Sequence, residues 1–206
     1  MKGNVPSGHL TFAMLGIGTS LMLRDLNSHI EFSEQNIQWQ RRRELHRVEQ
    51  GEDAESQRVD LQQRFDDLLQ RTRYGSLISL VTIVERVAMT LRGLAESMDR
   101  SIPAKPRGKS MTVHLLDVFS GVGLGSAQHI AVLETLVQIR NCIVHAAGLL
   151  EEYEHAAQLR DSLSRFKGVR ISFHEFWGQD AIEIEDNFLQ DLIKETKAWM
   201  MTFYET

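Results

Sequence analysis

The chain has 206 residues, 42% of them hydrophobic and 25% charged, with a net charge of −5. That is the composition of a folded domain with a sizeable core, and its acidity excludes a protein that coats nucleic acid through global basicity, while leaving room for a local basic patch. The single cysteine, Cys142, excludes an internal disulfide and suits a reducing compartment.

In chain order, residues 9–49 read as a helix, apolar in "HLTFAMLGIGTSLML" and polar in "SEQNIQWQRRRELHRVEQ". The apolar run falls short of the ~20 residues a spanning helix needs and is closed by Arg24 and Asp25. Only Lys2 precedes it and no small-residue cleavage site follows, so the expectation is a core helix of a cytoplasmic protein, with no membrane partner. Gly51 in "QGEDAES" marks a break, with Asp53 as the cap of the next helix. Residues 54–73 are amphipathic through Val59, Leu61, Phe65, Leu68 and Leu69. The pattern can continue through Tyr74 and Gly75 into "SLISLVTIVERVAMTLRGLAESM", which is apolar on most sides and so central in its bundle.

Two loops follow. "DRSIPAKPRGKS" (99–110) carries Arg100, Lys105, Arg107 and Lys109, and no acid stands between Asp99 and Asp117. "SGVGLGS" (120–126) lacks the ending and the strand–helix setting of a phosphate-binding loop and reads as a connection. Helices are predicted over 127–147 and over "LLEEYEHAAQLRDSLSRF"; in the second, Glu151 and His155 lie one turn apart, without a third metal ligand. "GVRISFHEFW" and "DAIEIED" alternate as a β-hairpin turning near Gly178, which leaves His174 at its surface. A last helix, "NFLQDLIKETKAWMMTFYE", takes Asp186 or Asn187 as cap. The class is mostly α, in one domain over 1–206. N-terminal helices over 1–68 could form a dimerisation arm, ahead of a helical core over 70–163 and a hairpin plus closing helix over 168–206.

"HIAVLETLVQIRNCIVHAA" carries the chemistry. At about 100° per residue, Glu134, Gln138, Asn141 and His145 fall within about 60° of one another, a polar stripe on an otherwise apolar helix. Each buried polar group without a partner costs about 1–3 kcal/mol. The stripe therefore belongs to an internal network, a cleft or a subunit interface. Arg140 lies about 100° round from it and is long enough to swing towards it. Glu85, inside the apolar run "SLVTIVERVAM", could pair with Arg140 across the bundle or with its own neighbour Arg86. Cys142, within the same helix, reads as a small buried hydrophobe.

Arg140, Asn141 and His145 resemble the arginine–polar–x–x–x–histidine motif of HEPN-domain proteins. The resemblance implies an up-and-down helical bundle over about residues 70–163, with the motif on a late core helix and the site at a homodimer interface. It further implies a metal-independent endoribonuclease without a cofactor, acting on RNA to leave 2′,3′-cyclic phosphate and 5′-hydroxyl ends. Arg140 and His145 would carry the chemistry and Asn141 would orient them, with Glu85, Gln138 and Glu134 in support and the basic loop (Arg100, Lys105, Arg107, Lys109) steering RNA. The setting would be a toxin or phage-defence effector with an antitoxin or defence-system partner. Where such toxins continue the motif to a tyrosine two residues past the histidine, this chain has Ala147, so control by nucleotide transfer there is not expected. The arginine–histidine spacing recurs at Arg24–His29 and Arg41–His46, both in polar surroundings; the apolar helix selects Arg140–His145. Two other readings stay open: a non-catalytic HEPN module that binds RNA, nucleotide or a protein, and a helical homodimeric adaptor.

Overall fold

A computed structural model describes residues 7–48, 54–97, 101–121, 127–164 and 166–202. Among these are six helices and one small antiparallel sheet: α1 (Ser7–Val48), α2 (Ala54–Ser97), α3 (Met111–Gly121), α4 (Ala127–Ala146), α5 (Ala156–Leu163), β1 (Val169–His174), β2 (Gln179–Ile184) and α6 (Phe188–Thr202). The chain is thus mostly helical, with a hairpin near its end and a helix after it. Gly51, Asp53 and Arg100, and all but the start of "SGVGLGS", lie outside the described residues.

α2 is the central element, packing against α1, α3, α4, α6 and β2. Its Leu77, Leu80, Val84, Val87 and Leu91 recur in steps of three and four and are all buried, the spacing that keeps one helix face turned inward. The helix runs straight through Gly75, whose outer side faces open space. The ~1 kcal/mol that a mid-helix glycine costs is offset by tertiary contacts on either side, where Arg73, Ser76 and Leu77 are buried. The predicted N-terminal region and helical core therefore share one unbroken helix.

α1 runs antiparallel to α2, as the Glu34–Arg73 and Arg41–Asp66 ion pairs at 2.9 and 2.8 Å require. Leu23, Leu26 and Ile30 join the main core. Further out, Ile37, Phe65 and Leu69, with Leu61, make a separate small cluster. The apolar opening of α1 is not enclosed as a core helix would be: Met14, Ile17 and Leu21 face solvent. No helix among the described residues is long and apolar enough to cross a membrane.

The helix predicted to begin at Leu149 starts only at Ala156. Ala147 (φ 52°) and Gly148 (φ 85°) turn the chain out of α4. The next residues then lie along β2: Leu149 bridges Ala181, Leu150 N–H donates to the Asp180 carbonyl at 2.9 Å, and Ile182 N–H donates to the Gly148 carbonyl at 2.9 Å. Backbone pairing with the hairpin overrides helical periodicity here. Glu151 and His155 accordingly sit in a turn rather than on one helix face; Glu151 accepts from Arg160 at 3.2 Å, and the His155 ring stands edge-on to Tyr153.

The rest of that edge of β2 is closed by side chains. Gln70 both donates to the Ile184 carbonyl and accepts from its N–H, each at 3.0 Å, as a neighbouring strand would. Tyr74 Oη donates to the Ile182 carbonyl, and Arg73 to that of Ile184 at 2.8 Å. An edge that could template pairing with another chain is thereby covered. Asp186, a candidate cap for the last helix, turns its carboxylate to Arg73, while Asn187 adopts a left-handed φ of 62°. α3 fills the stretch between the two predicted loops, too short and too uniformly apolar for periodicity to classify.

Candidate functional site

α4 buries Leu133, Leu136, Ile139, Cys142 and Ile143 against the core. The opposite flank carries the polar stripe, and it is open. Glu134 and His145 are exposed, Gln138 and Asn141 are half-buried, and Val144 stands exposed beside His145. The stripe is therefore not a closed internal network. Among the described residues, its cross-helix hydrogen bond runs from the Ser162 hydroxyl on α5, which donates to Gln138 Oε1 at 3.4 Å.

Arg140 does reach α2. Its guanidinium donates to the Glu85 carboxylate, and the two side chains keep 24% and 32% of their surface exposed. The alternative partner for Glu85, Arg86, points to solvent. Among the described residues, one N–H of the five on Arg140 is committed, to Glu85, and the side chain stays partly exposed. Among the described residues, nothing bonds to Asn141 or His145, and no bond joins Arg140 to His145. Within one chain Arg140 turns to α2 while Asn141 and His145 lie on the stripe, so the motif residues form no connected dyad.

The end of α4 is held by its surroundings. Gly148, just past the last turn, keeps a left-handed φ, and a Cβ there would meet Tyr74 Oη at 2.5 Å. Tyr74 itself is anchored on β2. His145 thus sits on a helix terminus locked between α2 and the hairpin. Cys142, one turn earlier, is fully buried, and burial pushes its thiol up to about 11, so it is no thiolate nucleophile.

The basic loop is only partly free. Lys105 Nζ donates to the Lys109 carbonyl at 2.7 Å, and Lys109 pairs with Asp117 at 3.1 Å, leaving Arg107 exposed without a partner among the described residues. The buried His114 ring lies 2.8 Å from the Pro103 carbonyl and ties this loop to α3. Among the described residues, no cluster of three or more histidine, cysteine or acidic side chains could hold a metal ion.

No family model, curated protein or solved structure matches the chain. The functional reading rests on the residues themselves.

The polar cluster that local pattern does not reveal is centred on Arg73, nearly all buried, with Glu34 from α1, Asp186 and the Ile184 carbonyl around its guanidinium. In "LLQRTRYGS" it stands beside Arg71 with nothing to distinguish the two. Its partners lie far away in sequence, so only folding singles it out. His174, expected at the hairpin surface, is partly covered instead and faces Asp67 on α2 at 3.5 Å.

Proposed function

We propose that this chain is a metal-independent endoribonuclease of HEPN type, working as a toxin or phage-defence effector with an antitoxin or defence-system partner. One observation carries the reading: Asn141 and His145 lie on an open flank of α4, while Arg140, further round the same helix, is held by Glu85 and stays partly exposed. Cleavage requires the ribose 2′-oxygen to attack phosphorus while the bond to the 5′-oxygen breaks. One proton leaves the 2′-hydroxyl and another reaches the departing 5′-oxygen, giving a 2′,3′-cyclic phosphate and a 5′-hydroxyl. An imidazole suits such transfers near neutral pH, and a guanidinium suits charge developing on the phosphate.

A single chain offers one histidine here, whereas the reaction needs both a base and an acid. A second copy across the α2–α4 flank would supply the other. The exposed Val144 and Met89 on these two helices support such a contact. Glu85 would position Arg140, Asn141 would orient Arg140 and His145, and Gln138 and Glu134 would complete the polar rim.

The decisive experiment is cleavage of end-labelled RNA by purified protein in excess EDTA. His145→Ala and Arg140→Ala, both folded, should each lower the rate by about 10²–10⁴-fold. Cleavage left intact in both variants would refute the assignment. A second reading, a non-catalytic HEPN-like module or homodimeric adaptor, is favoured by the engagement of Arg140 with Glu85, which partly neutralises the cation. Absence of cleavage with every RNA offered would support it.

A further inference from the structure

α1 has two apolar faces, and only one belongs to the core. Leu23, Leu26 and Ile30 point inward. On the opposite side, about 180° round the helix, Met14, Ile17, Leu21, Phe32 and Trp39 are between 44% and 69% exposed. Met14, Ile17 and Leu21 lie within two turns of one another, an exposed apolar cluster of the kind that marks an interaction site.

The spacing identifies the partner. Met14, Gly18, Leu21, Asp25, Ser28, Phe32, Gln35 and Trp39 follow one another in alternating steps of four and three, the seam of a two-stranded coiled coil. The seam is about 37 Å long, apolar at both ends and polar at its centre. Laid antiparallel on itself about a two-fold axis between Leu26 and Asn27, it is self-complementary. Met14 then faces Trp39 of the second copy, Leu21 faces Phe32, Gly18 faces Gln35 and Asp25 faces Ser28, each pair occurring twice. Flanking the seam, Arg24 comes opposite Glu31 of the second copy, joining unlike charges. A parallel arrangement would instead set Asp25 against Asp25 in the buried seam. Among the described residues, Arg24 pairs within the chain only with its exposed neighbour Asp25, and Glu31 only with Asn27, contacts weak enough to exchange.

We infer that the outer face of α1 is an isologous interface on which a second copy of this chain docks antiparallel through Leu21 and Phe32, with Arg24–Glu31 ion pairs at its flanks. The face points away from the core that carries α4, so the inference stands apart from the ribonuclease reading.

The test uses the full chain at micromolar concentration. Its mass in solution, by light scattering or sedimentation, should be that of two chains, or of four if the α4 flank also pairs. Leu21→Glu with Phe32→Glu should halve that mass and leave the helical circular dichroism unchanged, because neither side chain is in the core. Arg24→Glu alone should weaken assembly several-fold, and adding Glu31→Arg should restore it. A Leu21→Cys/Phe32→Cys chain should oxidise to a covalent dimer. Leu21→Cys alone should not, because the two cysteines would lie roughly 16 Å apart, beyond disulfide reach of ~7 Å. Cys142 is buried and takes no part. A single-chain mass would overturn the inference, whether the face then serves another protein or a lipid surface. An assembly untouched by the glutamates and without the crosslink would overturn it equally.

Discussion

Gly148 shows how one residue serves both the fold and the site. Its φ of 85° is a conformation that side-chain-bearing residues rarely adopt, and the Tyr74 ring already fills the space a Cβ would need. Gly148→Ala should lose about 2 kcal/mol or more in urea unfolding, by backbone strain plus displacement of Tyr74. Tyr74→Phe gives the comparison: it removes the bond to Ile182 and keeps the ring over the glycine. Glu183 supplies a pH-dependent term at the same scale. Arg170 donates to it at 2.5 Å and holds its carboxyl below the ordinary value of 4.5. The unfolded chain therefore takes up this proton first as pH falls. The contribution is fully present above about 4.5 and is lost as pH drops through the lower folded value. Stability measured down a pH series should fall less steeply below that point in Glu183→Gln than in the parent.

At the scale of elements, the α1–α2 pair is uneven. The two helices have 42 and 44 residues, about 63 and 66 Å each, yet only their inner parts reach the main core. The outer parts depend on the small cluster of Ile37, Phe65 and Leu69 and on the Arg41–Asp66 pair. Local opening should therefore be cheapest there. Phe65→Ala should lower the opening free energy of the outer arm by about 2–3 kcal/mol, read as faster amide exchange over 37–48 and 56–69. Protection in α3, α4 and α6 should stay unchanged, and a uniform loss across the chain would show instead that the arm and the body unfold as one. The boundary between periodic signal and tertiary override also falls at this level. The long helices, the hairpin and the closing helix follow from local pattern. The segment after α4 does not, because Gly148 and Leu150 spend backbone groups on β2.

For the molecule as a whole, Arg73 is the joint. It ties α1 through Glu34, the end of β2 through the Ile184 carbonyl, and the approach to α6 through Asp186. Arg73→Ala would leave Glu34 without its cation and the Ile184 carbonyl with one donor fewer. A loss of about 3 kcal/mol is expected in denaturant unfolding, as for breaking a buried pair by removing one member. Since the three elements meet only through folding, the loss should appear as one cooperative transition rather than as a detached arm; two separate transitions would contradict this role.

Periodicity and turn chemistry were enough for the mostly helical class, the hairpin around Gly178 and the polar stripe on α4, because each depends on residues a few positions apart. Short-range pattern also marked Arg140 and His145 as unusual in their helix. Tertiary structure alone decided that the stripe lies on an open flank, that Arg140 meets Glu85 rather than solvent, and that the apolar start of α1 is half outside the core. It also distinguished Arg73 from its neighbour Arg71. Those outcomes depend on which distant side chain arrives at a given place. Desolvation and pairing energies act only once the chain has brought the partners together.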